Sequence, residues 1–108
     1  MKAYLIDPEK KEVTEVEYSG DYKDIYKLID CSTFEIVGIT PKGDGIYVDE
    51  EGLYAEKKHL WSFKGILFNN HLFNLINKGL VLGSNIVGDT IESDLSLEEI
   101  KERVVWHW

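Results

Sequence analysis

The chain has one cysteine, two prolines and no long apolar run among its 108 residues. The single thiol, Cys31, excludes a disulfide within the chain and fits a reducing compartment. So few prolines, and no low-complexity segment, argue against disorder. The apolar stretch before Asp7 is too short for a signal peptide or a membrane span. We therefore expect a single domain over residues 1–108 that is cytoplasmic and does not bind a membrane.

Motifs of catalysis are also absent. No Gly-x-Ser-x-Gly, His-Glu-x-x-His, Cys-x-x-Cys or Gly-Lys-Ser/Thr string occurs. The spacing of Gly79, Gly83 and Gly88 matches neither a Walker loop nor a dinucleotide fingerprint, and the three histidines lack metal-ligand spacing. Nothing here points to a catalytic residue, a cofactor or a metal. The acidic run 49–51 leaves a metal-dependent hydrolase as a weaker alternative, although a solvated turn also explains it.

Acidic residues are missing from one long window. The chain carries twenty Asp and Glu and a net charge of −8, yet none of these acids lies between Lys57 and Gly88. Residues 1–52 sum to −7, residues 53–88 to +3 and the remainder to −4. The same window is rich in aromatic and amide side chains, a composition that favours an anionic or nucleotide-like ligand. Alternatively, a buried segment excludes carboxylates because burying an unpaired charge is costly.

The acid-free window predicts a ligand site. Trp61 and Phe63 share one side of an extended segment, and Lys64 follows, a combination that stacks a base and pairs a phosphate. If residues 70–78 are helical, a histidine, an asparagine and a lysine share one polar face. Amide groups suit the polar edges of a nucleobase or ribose. The predicted ligand-binding residues are Trp61, Phe63, Lys64, His71, Asn74, Asn77 and Lys78, with Lys57, Lys58 and Asn70 as further candidates. For each aromatic ring, the alternative is a place in the core.

The hydrophobic pattern predicts an α+β fold, a mainly antiparallel sheet of hairpins with one short helix after the first hairpin and a C-terminal helix. The predicted elements are hairpins over 2–18 and 33–48, a helix over 22–29, and strands over 60–63 and 79–83. Apolar recurrence over 68–76 favours a further helix, with an ordered loop as the alternative. Ser96-Leu97-Glu98-Glu99 is a capping box and predicts the start of the C-terminal helix.

The chain ends with Trp106 and Trp108 among its last three residues. A chain end is normally polar and frayed, so these rings are expected to dock on the core or on a second copy. Tryptophan is enriched at interface hot spots, and two-fold dimers are the commonest assemblies. We therefore predict a homodimer with Trp106 and Trp108 in its interface.

Three segments resemble a family of small uncharacterised proteins from phages and plasmids, a domain of unknown function. They are Met1–Pro8, Val48–Leu53, and Lys78–Gly83 leading to Ser96–Glu99. The resemblance implies an accessory role in a mobile element, in the host cell, and no activity assigned to a residue. The Asn-rich insert 68–77 departs from the family pattern.

These observations predict a small non-catalytic phage-type accessory protein of counter-defence type that binds and sequesters a nucleotide-like or other anionic small molecule. The alternative is an acidic interaction module that occupies a host nucleic-acid-binding protein as a nucleic-acid mimic, so that its partner is a host protein. The net charge of −8 argues against direct binding to duplex nucleic acid, whose affinity comes mainly from Lys and Arg.

Overall fold

The structure is a computed structural model that describes residues 1–39, 44–64, 67–68, 75–84, 90–93 and 95–107. Its strands are β1 (Lys2–Asp7), β2 (Glu12–Glu17), β3 (Phe34–Ile39), β4 (Gly45–Asp49), β5 (Leu60–Phe63), β6 (Leu67–Phe68), β7 (Leu75–Ile76), β8 (Gly79–Ser84), β9 (Thr90–Ile91) and β10 (Val104–Trp106). The α-helices are α1 (Lys23–Leu28) and α2 (Leu97–Arg103), and a 3-10 turn spans Gly52–Tyr54.

These strands form two antiparallel sheets within the described ranges. The larger has the order β2-β1-β8-β4-β3-β6, with β9 paired to β8, and the smaller has the order β10-β5-β7. The predicted α+β class is therefore wrong, because the described residues are mostly β-sheet and the two α-helices among them are only six and seven residues long. Strand β8 lies between β1 and β4, and β10 returns to β5, so the pairings that create the sheets join distant segments.

The first hairpin and its helix form where the sequence predicts them. Strands β1 and β2 pair from Lys2 with Glu17 to Asp7 with Glu12. The Asp7 carboxylate accepts hydrogen bonds from the backbone N–H of Glu9 at 3.1 Å and of Lys10 at 3.3 Å, which holds the turn closed. Helix α1 then covers one face of the larger sheet with buried residues such as Ile25.

Alternation along the central strands divides the core into two layers. On β8, Val81 belongs to one layer, whereas Leu80 and Leu82 belong to the other, because successive side chains of a strand point to opposite faces. One layer lies between the larger sheet and the smaller sheet with α2, and includes Trp61, Phe63, Leu75, Leu95, Ile100 and Val104. The other lies under α1 and includes Ala3, Tyr18, Ile25, Ile29 and Tyr47.

The capping box at the C-terminal helix is confirmed. The Ser96 hydroxyl oxygen accepts from the Glu99 N–H at 3.1 Å, and Glu99 Oε1 accepts from the Ser96 N–H at 3.3 Å. The helix ends at Arg103, and the chain continues directly into β10, where Val104 pairs with Phe63.

The helix favoured over 68–76 is wrong where the structure describes that segment. Leu75 and Ile76 form strand β7 and pair with Trp61 and Leu60 of β5. Asn77 has a φ of 61°, in the left-handed region, which no α-helix continues through. Residues 69–74 lie outside the described part of the chain.

Candidate functional site

A pocket of about 240 Å³ lies where the β1–β2 turn, the end of α1, the end of β4, and the β7–β8 turn meet. We call it the Asn77 pocket. Its lining residues are Asp7, Pro8, Glu9, Ile29, Asp30, Asp49, Ala55, Lys57, His59, Asn77 and Lys78. Four of them, Lys57, His59, Asn77 and Lys78, come from the acid-free window. This window therefore forms one part of the lining, the basic wall, and acidic residues from other segments form another part, the acidic wall.

Asn77 connects the two segments of its wall. Its Oδ1 accepts from the His59 N–H at 3.0 Å, and its Nδ2 donates to the Lys57 carbonyl oxygen at 3.1 Å. Its own backbone N–H donates to the His59 carbonyl at 2.9 Å. A left-handed φ is tolerated by asparagine better than by most residues, so this residue type suits the position. The Asn77 side-chain amide thus holds the backbone of Lys57 and His59 close to Lys78, so its role is at least partly structural.

The pocket carries charges of both signs. Lys57 and Lys78 contribute +2, and Asp7, Glu9, Asp30 and Asp49 contribute −4, so the lining sums to −2 with His59 neutral. Lys78 Nζ lies 3.9 Å from Asp30 Oδ2, and the Asp30 side chain is 85% exposed, which makes this a weak pair. Asp49 Oδ1 accepts from the Glu51 N–H at 2.9 Å. Such a lining suits a ligand that has both an anionic group and hydroxyl or amine donors.

Two members of the predicted site must be corrected. The side chains of Trp61 and Phe63 are 0% and 3% exposed and lie in the core. A ring without exposed surface has no face on which a ligand stacks, so the alternative of a place in the core holds for both. Burial is favoured because each ring removes a large apolar area from water.

The other predicted residues lie in different places. Asn77 and Lys78 line the Asn77 pocket. Lys64 is exposed at the opposite end of β5, where its N–H donates to the Arg103 carbonyl at 2.8 Å, and it does not line this pocket. His71 and Asn74 fall outside the described residues, as does Trp108. Trp106 is partly buried and packs against the core, and its backbone in β10 pairs with that of Trp61 in β5.

Sequence reasoning missed the acidic wall. Asp7, Asp30 and Asp49 each follow directly after a predicted apolar element, at the ends of a strand, a helix and a strand. Polar residues at element ends that converge in space are a recognisable sign of a site, and this sign was available in the sequence. Finding it also required the topology that places the β1–β2 turn beside the end of β4.

The structure also describes the surroundings of the thiol and of the potential metal ligands. Burial, with smaller contributions from Asp49 and Asp30, raises the pKa of the Cys31 thiol to about 11. Within the described ranges, no group of three or more His, Cys, Asp or Glu side chains is arranged to hold a metal ion. No helix in this part of the chain has the length and apolar character needed to cross a membrane.

The family model for a domain of unknown function, DUF3846, matches residues 1–104. The chain belongs to this family. The DUF3846 description assigns no activity and no residue role. Comparison of the DUF3846 chain with curated proteins and with solved structures finds no match.

Proposed function

We propose that this DUF3846 chain is a non-catalytic binding protein that captures a small nucleotide-like ligand in the Asn77 pocket. The observation that carries the proposal is that lysine and carboxylate side chains from separate segments line one cavity of about 240 Å³. Small-molecule pockets commonly have volumes from about 300 Å³ upward, so this one suits a sugar phosphate, with an attached base extending outward.

The basic wall supplies the contacts for phosphate. The Asn77 side chain is hydrogen-bonded to the backbone of Lys57 and of His59, Lys78 follows Asn77 in the chain, and all three of these neighbours line the pocket. Lysine ammonium groups are compact charges with three rotatable donors, which suits a phosphate group whose oxygens are spread over a tetrahedron. The hydrogen bonds of Asn77 hold the backbone on which Lys57 and His59 stand, so the wall is ordered before a ligand arrives.

The acidic wall selects against a bare anion. A lining that sums to −2 repels any anion, but the ribose hydroxyls and exocyclic amines of a nucleotide donate hydrogen bonds to carboxylates and offset that repulsion, which inorganic phosphate does not do to the same extent. Carboxylates that accept from ribose hydroxyls are a recurrent feature of nucleotide sites. A nucleotide satisfies both walls at once, and this is why we propose it in preference to a simple anion.

The biological role belongs to the same proposal. The resemblance described above supports an accessory, counter-defence-like role for a phage or plasmid protein in the host cytoplasm. Binding without turnover would then sequester the ligand and lower its free concentration.

Calorimetry of the full chain with AMP, cyclic nucleotides, ADP-ribose and inorganic phosphate tests the proposal. We expect saturable binding of at least one nucleotide and none of phosphate alone. The variant with Lys57→Gln and Lys78→Gln should weaken binding by about tenfold or more, because two phosphate contacts are lost. Lys64→Gln is the matched control, since Lys64 is also an exposed lysine but lies at the far end of β5. Nucleotide binding that is indifferent to the double variant would disprove the assignment to this pocket.

A second candidate is the acidic interaction module. Glu12, Glu15 and Glu17 are all exposed along β2, which is an edge strand of the described larger sheet. A row of carboxylates at an edge offers a negative surface for a basic face of a host protein. Three results together would favour this candidate. Capture of a host nucleic-acid-binding protein should fall steeply with salt, and it should be lost when Glu15 and Glu17 are replaced by Gln. It should be unchanged by the Lys57 and Lys78 replacements.

A further inference from the structure

We propose a second binding site, for an aromatic anion such as a nucleoside monophosphate, in a groove between β2 and the α2–β10 unit. The groove has a volume of about 380 Å³ and is lined by Lys11, Glu12, Val13, Thr14, Lys101 and Trp106. We call it the Trp106 groove. It shares no lining residue with the Asn77 pocket, so the inference stands apart from the proposed function.

Trp106 is held in place from several sides. Its backbone in β10 pairs with that of Trp61 in β5. Its side chain packs against the core, and part of it lines the groove. The next residue is fixed as well, because the His107 N–H donates to the Leu60 carbonyl at 2.9 Å and His107 Nε2 lies 2.8 Å from Ser62 Oγ. A ring that is already ordered loses little conformational freedom when a ligand stacks on it.

Lysines approach the same groove from two separate elements. Lys11 stands in the β1–β2 turn with a φ of 54°, and Lys101 stands on α2. Among the lining residues that the structure describes, Glu12 is the one carboxylate, so their charges sum to +1. The described lining of the Asn77 pocket sums to −2 and the whole chain to −8, so the two lysines of this groove are a local pair of cations on a surface that also carries Glu15 and Glu17 of β2. A local excess of cations raises the local concentration of a small anion.

The combination of an aromatic face with flanking lysines binds rings that carry phosphate. Stacking accepts any planar ring, and the lysines pair with the attached anion. The sequence predicts this combination for Trp61 and Lys64, but the fold buries Trp61, and it is Trp106 that lines a groove together with two lysines.

A small molecule fits the groove better than an added peptide strand does. The volume of about 380 Å³ lies within the range of small-molecule pockets, about 300–1,000 Å³. Strand β2 also carries exposed Glu12, Glu15 and Glu17, and charged side chains on an edge strand oppose the pairing of a further strand.

The test uses the full chain labelled with ¹⁵N in its tryptophan indole groups. The chain has three tryptophans, and two of them report on different sites. The Trp106 indole lies at the groove, whereas the Trp61 Nε1–H donates to the Asn77 carbonyl in the wall of the Asn77 pocket. Trp106→Phe assigns the groove signal by removing it. AMP and inorganic phosphate are the probes.

We expect AMP to shift the Trp106 signal saturably and inorganic phosphate to shift it much less. Lys11→Asn with Lys101→Gln should raise the half-saturating AMP concentration about tenfold or more. Asparagine is chosen at position 11 because it tolerates a left-handed φ. The Lys57→Gln and Lys78→Gln variant is the matched control and should leave the Trp106 titration unchanged.

Three results would overturn the second site: no Trp106 shift at millimolar AMP, a shift in the Trp61 signal alone, or a Trp106 titration indifferent to loss of Lys11 and Lys101. A Trp61 shift alone would still support the Asn77 pocket, so the two proposals fail separately. If the double lysine variant does not fold, Lys101→Gln alone decides, because Lys101 is exposed on the helix surface.

Discussion

The indole Nε1–H of Trp61 donates a 2.7 Å hydrogen bond to the carbonyl oxygen of Asn77. Trp61 is fully buried, so its indole N–H cannot bond to water, and this hydrogen bond gives it a partner inside the protein. Asn77 lines the pocket, so this hydrogen bond connects a core side chain directly to the candidate site. A change in the packing of Trp61 should alter the position of the pocket wall.

Replacing Asn77 should destabilise the protein and disorder the wall of its pocket. Asn77→Ala removes the amide bonds to Lys57 and His59 and places alanine at a φ of 61°. We expect the free energy of unfolding to fall by about 2–3 kcal/mol, from the lost hydrogen bonds and the left-handed backbone. Urea unfolding measures the change.

Asn77→Gly separates these two causes. Glycine adopts the left-handed φ without strain but lacks the amide, so its loss should be smaller, about 1–2 kcal/mol. If glycine and alanine cost the same, the backbone conformation is not part of the effect.

Gly79→Ala tests the close approach of β8 to the tryptophan ring. A Cβ added at Gly79 would lie 2.6 Å from Cζ2 of Trp61, a distance that forces the ring or the strand to move. We expect a loss of about 1–3 kcal/mol in the free energy of unfolding, as for other overpacked cores. Combining it with Trp61→Phe should make the two changes less than additive, since the smaller ring leaves room for the methyl group. Full additivity in urea unfolding would contradict the contact.

Ser96→Ala should cost about 1 kcal/mol, because it removes the acceptor for the Glu99 N–H at the start of α2. Ser96→Asp keeps an N-cap acceptor and should retain most of the stability. Thermal unfolding of both variants checks this, and equal losses would show that the cap contributes little.

Local elements could be predicted from the sequence because their signals are local. The β1–β2 hairpin, helix α1 and the capping box of α2 depend on turn residues and on periodicity within a few positions. The fold class could not, since β5, β7 and β10 form a second sheet from segments far apart in the chain. Leu75 and Ile76 fit a helical spacing equally well, and only their pairing with β5 decides that they are a strand.

The candidate site divides in the same way. The acid-free window indicated the basic wall, since Asn77 and Lys78 line the pocket. The carboxylates of the acidic wall come from three other segments, so predicting them required the topology. The sequence alone does not distinguish a ligand-binding Trp61 from a core Trp61, because a ring beside a lysine has the same composition whether it is buried or exposed. Its burial follows from its position on β5 of the smaller sheet, where its ring packs against Gly79 of the larger sheet.

Cys31 should react slowly with alkylating agents in the folded protein. Burial first, then the negative charges of Asp49 and Asp30, raise the pKa of its thiol to about 11 from a usual 9.0. At pH 8 the thiolate fraction is then about 100-fold lower than for an unperturbed thiol. A thiolate of higher pKa is also the stronger nucleophile, which returns part of this factor, so we expect alkylation by iodoacetamide to slow about tenfold.

Denaturation supplies the control for this prediction, because unfolding in urea removes both the burial and the neighbouring charges and should restore the ordinary alkylation rate.

The same pKa shift determines how the free energy of unfolding depends on pH. A raised pKa in the folded state means that folding favours the neutral thiol, so its contribution is complete below pH 9 and is lost as the pH rises toward 11. Asp49→Asn should lower the thiol pKa and speed alkylation at pH 8, because one of the two nearby negative charges is gone. A folded-state rate equal to the rate in urea would show that the thiol is neither shielded nor held neutral.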